Sequence, residues 1–147
     1  MLSLSKHEAN VSEAAMLDFA KLQRTWKPNQ YLVLPPGFAS TAKADRVSPV
    51  FDVPPARLIQ TLKSFITQQA QTELLHGNGA TGQIEAVARS KLFRFPDYIT
   101  AQAFPAGEGK SALAIYSRAK YGIRDFGVNK ARVEKWLAAL QQTVAVR

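Results

Sequence analysis

The sequence predicts a single α+β domain: an antiparallel sheet of about four to five strands with two main amphipathic helices packed on it. Three observations carry this expectation. Apolar residues recur at helical spacing after Pro54-Pro55 and again in residues 133–144. Between these helices lie three successive strand-like runs, 83–90, 98–104 and 111–118. Pro105-Ala106-Gly107-Glu108-Gly109 then reads as the hairpin loop joining the last two. A length of 147 residues suits one domain with a real core.

In chain order, residues 1–15 are polar and unpatterned and are expected to be an extension or a disordered tail, which leaves 16–147 as the domain. Residues 16–26 place Phe19, Leu22 and Trp26 at helical spacing, and Lys27-Pro28 closes that run. Tyr31-Leu32-Val33-Leu34 is a strand or an extended anchor, stopped by Pro35-Pro36-Gly37. Residues 37–48 read as a loop, and Val50, Phe51 and Val53 as an extended lead into a helix. That helix has prolines at its first turn, where a missing N–H is harmless, and a stripe of Leu58, Leu62, Phe65, Ile66 and Gln69. Residues 72–75 form a short strand and His76-Gly77-Asn78-Gly79 a turn. The terminal helix presents Val133, Trp136, Leu137, Leu140 and Val144, with Asn129 as its N-cap. Val128 and Val133 then occupy staple positions, and Lys130 can pair with Glu134. In the last strand, Leu113/Ile115 and Ala114/Tyr116 are all apolar, so alternation alone does not choose a core face.

The formal net charge of +8 favours anionic partners: phosphorylated metabolites, acidic lipid or nucleic acid. There is no cysteine, and His7 and His76 lie far apart, so neither a disulfide nor a metal site is expected. No cofactor motif stands out. Gly109-Lys110-Ser111 lacks the upstream glycine of a phosphate loop, Phe104 standing in its place, and a strand rather than a helix follows. Asn10-Val11-Ser12 has the glycosylation pattern without a secretory context. No apolar run reaches the roughly 18–20 residues needed to cross a bilayer. Lys6, His7, Glu8 and Asn10 interrupt any export signal, and a cytoplasmic location is the expectation.

The chemistry concentrates in residues 117–132. Gly122 and Gly127 point to positive φ. Arg118, Arg124, Asp125 and Arg132 are suited to hold a carboxylate or phosphate, and a helix start follows. The competing reading is an Arg–Asp network that locks a strand-to-helix corner. Ser117-Arg118-Ala119-Lys120 has the S-x-x-K spacing of serine acyl enzymes, but Gly122 opposes a helix there. Upstream, residues 89–98 interleave cations and aromatics; that is a nucleic-acid surface or, in the favoured reading, core rings with paired cations.

Two elements in order, Arg89-Ser90-x-Leu92-Phe93-Arg94-Phe95-x-Asp97 and Tyr116-Ser117-Arg118-x-x-x-Gly122-x-x-Asp125-x-Gly127-x-Asn129-x-x-Arg132, resemble the domain-of-unknown-function family numbered 1499. Pro28-Asn29 and Pro49-Val50-Phe51 add to the resemblance, which covers roughly residues 26–142. It implies no established activity. It carries over to Arg94, Asp97, Ser117, Arg118, Gly122, Asp125, Gly127, Asn129 and Arg132. Members often have a cysteine where this chain has Gln30, and two adjacent acids where it has Pro96-Asp97-Tyr98. Some also carry a membrane segment or export signal.

The leading functional expectation is a small non-enzymatic binding domain. Arg94, Asp97, Ser117, Arg118, Asp125, Asn129 and Arg132 would recognise an anionic small molecule, lipid headgroup or protein partner. The alternatives are a hydrolase using Ser117 or Asp125, with His76 the one candidate base in the domain, and a nucleic-acid-binding protein.

Overall fold

The computed structural model describes residues 16–78, 82–90 and 95–144. The α+β expectation holds, with a larger sheet than the sequence predicts. Its strands are β1 (Gln30–Leu34), β2 (Arg46–Val47), β3 (Thr72–Asn78), β4 (Gln83–Arg89), β5 (Pro96–Pro105) and β6 (Ser111–Ala119). Two helices, α1 (Pro55–Thr67) and α2 (Val128–Thr143), complete the order. The six strands run β2-β1-β6-β5-β4-β3. All pairs are antiparallel except β1–β2, so the sheet is mixed. The extra strand β2 lies in the segment that reads as loop, and its two residues give no periodicity to find.

Both faces of the sheet are covered, which explains the unbroken apolar run in β6. Val33, Ile99, Ala101, Leu113 and Ile115 face the helices and meet Leu58, Leu62 and Ile66 of α1 and Val133, Trp136, Leu137 and Leu140 of α2. Phe65 and Trp136 pack edge to face across the two helices, 6.4 Å between centroids. Full burial of each large apolar side chain here stabilises by about 1.5–3 kcal/mol. On the other face Leu32, Leu34, Ala114 and Tyr116 pack against Phe19 and Leu22.

The predicted helix over 16–26 does not form. One 3-10 turn, Phe19–Lys21, stands in its place, with Asp18 accepting from Ala20 N. The backbone groups a helix would pair are taken by distant partners. Gln83 holds both the N–H and the carbonyl of Leu17, each at 2.8 Å. Ser40 and Thr41 hydroxyls donate to the carbonyls of Phe19 and Leu22. Phe19 and Leu22 are buried as core, whereas Trp26 is 76% exposed. Of the predicted turn at 76–79, His76 to Asn78 belong to β3; Gly79 and residues 1–15 lie outside the described residues.

Glu134 ties α2 to the sheet. Tyr31 Oη donates to Glu134 Oε2 at 2.5 Å, and Arg46 of β2 pairs with Oε1. Glu134 therefore bonds across to the sheet and not to Lys130. Burial first, then the Glu134 bond, pushes the Tyr31 phenol up from 10.0 to about 12. The folded value exceeds the unfolded one, so this contribution is complete below pH 10 and is lost as pH rises through about 12. Tyr31→Phe should cost about 1–2 kcal/mol at neutral pH. It should also flatten the fall in stability above pH 10, which urea melts across that range will measure.

Candidate functional site

Alternation along β6 sends neighbouring residues to opposite faces, and this splits the predicted cluster in two. Ser117 points towards the helices and Arg118 away from them.

On the helix side the centre is Asn129, fully buried in the first turn of α2. Its Oδ1 accepts from Ser117 Oγ at 2.5 Å and from Arg132 Nη1 at 2.8 Å. Its Nδ2 donates to Asn29 O at 3.1 Å and to Asp125 Oδ2 at 2.7 Å. Both lone pairs and both amide hydrogens are thereby used. Arg132 Nη2 pairs with Asp97 Oδ2 at 2.9 Å, and Nη1 also reaches Ser117 Oγ at 3.2 Å. Burial raises the Asp97 carboxyl above its ordinary value; Arg132 opposes this and Asp125 adds to it. Among the described residues no buried side-chain nitrogen or oxygen lacks a partner.

Asn129 is therefore not the N-cap. Gly127 occupies that position with φ 81°, and Asp125 supplies the capping oxygens: Oδ1 accepts from Gly127 N and Oδ2 from Asn129 N. A glycine is needed at such a φ because a Cβ would be strained there. Val128, 48% exposed, makes no staple with the buried Val133.

On the other face, Arg118 Nη1 donates to Thr100 Oγ1 at 2.8 Å and to Tyr116 O at 3.0 Å. Its guanidinium lies 4.9 Å over the Tyr116 ring, and Nη2 is 3.5 Å from Glu85 Oε2. Glu85 Oε1 is 3.1 Å from His76 Nε2. Desolvation pushes the Arg118 pKa below its ordinary range, with Glu85 opposing. His76, Glu85, Thr100 and Tyr116 are successive cross-strand partners, a row invisible until the strands are paired. His76 joins it because the β3 ladder shifts register between Leu74 and His76, reversing the alternation there.

A cleft of about 160 Å³ opens between loop 25–29 and the end of β6, lined by Thr25, Lys27, Gln30, Tyr116, Arg118 and Lys120 among others. Gln30 shapes it. Its Oε1 accepts from Arg24 Nε and Tyr116 Oη, and its Nε2 donates to Thr25 O and Lys27 O. Lys120 Nζ lies 5.8 Å from the Tyr98 ring centroid and 5.5 Å from that of Tyr121. Sequence reasoning missed Lys27 and Lys120 as partners of Arg118, since only the β1–β6 pairing brings loop 25–29 beside β6.

Of the predicted site residues, Asp97, Ser117, Asp125, Asn129 and Arg132 form one network, Arg118 belongs to the opposite face, and Arg94 lies outside the described residues.

Residues 25–140 match the family described as "Protein of unknown function (DUF1499)". The chain belongs to this family. Both the Asn129 network and the Arg118 cleft fall inside the DUF1499 domain. Comparison with curated proteins finds no match. Among the described residues of this DUF1499 domain, no helix is long and apolar enough to cross a membrane.

Proposed function

We propose that this DUF1499 domain is a non-enzymatic binding module that takes an anionic group in the cleft beside Arg118. The observation that carries the reading is three cations, Lys27, Arg118 and Lys120, lining one cleft with no carboxylate among its lining residues. Arginine keeps its charge even when partly desolvated, so the half-buried guanidinium, with Glu85 Oε2 3.5 Å from one arm, still attracts an arriving anion on its cleft side. Thr100 and the Tyr116 ring hold the guanidinium in place, which lowers the entropy cost of binding. Asp97, Ser117, Asp125, Asn129 and Arg132 have a positioning role in this reading: they lock the corner from which Arg118 projects.

The hydrolase alternative has less support. Ser117 is fully buried and donates to Asn129. His76 stands on the other face of the sheet, beside Glu85.

Thermal melts with inorganic phosphate, pyrophosphate and citrate test the proposal. Pyrophosphate is expected to raise Tm, and increasingly so at low salt. The double variant K27Q/K120Q should melt like the parent without anion and bind roughly tenfold more weakly. If none of the three anions moves Tm at low salt, or if K27Q/K120Q binds as tightly as the parent, the cleft is not the site.

A further inference from the structure

The corner that carries the cleft also exposes large apolar side chains. Trp26 is 76% exposed, Tyr121 59%, Ile123 48%, Phe126 94% and Val128 48%. They lie on two neighbouring loops, 25–29 and 120–127, and at the first residue of α2. Asn29 Nδ2 donates to Gly122 O at 2.7 Å and Ala119 N to Asn29 O at 3.0 Å, joining the two. Pro28 and Phe126 line one shallow depression between them.

Phe126 is the telling residue. It holds φ 55°, a left-handed conformation that an aromatic residue adopts only at a cost. The conformation puts its ring almost wholly into water, so folding gains no burial in exchange. Arg124 lines the same depression as Phe126, and Lys27 and Lys120 line the cleft beside it. The acid of the corner, Asp125, is committed to Gly127 N and to the N–H and amide of Asn129.

An apolar tip flanked by cations on one side is complementary to an anionic lipid surface. Tryptophan and tyrosine settle at headgroup depth, smaller apolar groups just below, and lysine and arginine on the phosphates. We infer that loops 25–29 and 120–127 dock the domain on an anionic membrane, with Trp26, Ile123 and Phe126 entering the interface. The inference rests on the proposed cleft for the headgroup phosphate, and on a separate apolar surface for the docking itself.

Full-length chain is sedimented with vesicles of phosphatidylcholine alone and with vesicles containing roughly 30% phosphatidylglycerol. Retention is expected on the second only, weakening as salt rises above about 0.15 M. Phe126→Asn keeps a residue that tolerates left-handed backbone and removes the ring. It should cut vesicle retention roughly tenfold while leaving pyrophosphate binding unchanged. Trp26 fluorescence should shift to the blue on anionic vesicles, and a Trp26→Gln variant should lose that shift. Three results overturn the docking: no retention on anionic vesicles, equal retention of Phe126→Asn, or self-association of the parent that Phe126→Asn abolishes. Pyrophosphate binding without vesicle retention leaves the cleft standing and removes the membrane alone.

Discussion

Arg132→Met is expected to lower the unfolding free energy by about 3–5 kcal/mol, the range for removing one partner of a buried ion pair. Arg132 and Asp97 keep side-chain exposures of 15% and 14%, so water cannot replace the missing guanidinium well. The variant's deficit should depend on pH in a defined direction. Burial already raises the Asp97 carboxyl, and Arg132 is what opposes that rise. Without the arginine the folded pKa moves further above the unfolded value of 3.8. A raised folded pKa means stability that is present below the unfolded value and lost as pH rises through the folded one. The variant should therefore lie nearest the parent in acid and furthest from it at neutral pH. Adding Asp97→Asn should recover a large part of the neutral-pH loss, because no uncompensated carboxylate then remains. Urea melts of the parent, both single variants and the double variant at pH 4 and 7 measure this directly. A loss that is independent of pH would contradict the account.

Asn129→Ala should cost about 1–3 kcal/mol, since it removes four hydrogen bonds from buried groups and leaves the Ser117 hydroxyl without its acceptor. Ser117 Oγ loses its acceptor, and Arg132 Nη1, Asn29 O and Asp125 Oδ2 each lose one of two partners, keeping Ser117 Oγ, Ala119 N and Asn129 N respectively. Asn129→Asp is the sharper control. It preserves size and the bonds from Ser117 and Arg132, but turns Nδ2 into an oxygen facing Asp125 Oδ2 and Asn29 O. Stability should fall at least as far as with alanine. A neutral Asn129→Asp would mean that the Asn129 amide is turned the other way.

Legibility from sequence followed the kind of force involved. Helix α1 is readable because local period and local burial agree there, and the central strands because turn residues bound each apolar run. The corner 117–132 is readable as a concentration of glycines, charges and one capping residue, Asn129, and the structure makes it a knot of hydrogen bonds. Its internal roles were not readable. Asn129 has the composition of an N-cap, but Asp125 reaches forward to cap while Asn129 bridges to the loop before β1 and to β6, contacts of 100 and 12 residues' separation. The segment 16–26 failed for a related reason: Gln83, Ser40 and Thr41 capture its backbone from afar. Arg118 does not join Arg132 because the pleat makes Ser117 and Arg118 face opposite ways. Glu85, Thr100 and His76 needed the strand pairing before they could be associated with Arg118 at all.

The register shift in β3 has a consequence beyond the placing of His76. β3 and β2 are the two edges of the sheet. An edge strand offers unpaired backbone donors and acceptors to any extended chain that meets it, and regular edges invite aggregation. Here one edge is interrupted between Leu74 and His76, and the other is only the two residues Arg46–Val47. Neither is a good template for strand addition. A chain whose central strand is apolar on both faces is thus protected from growing sideways into fibres. Its contacts with other molecules are directed away from the sheet edges, towards loops and side chains.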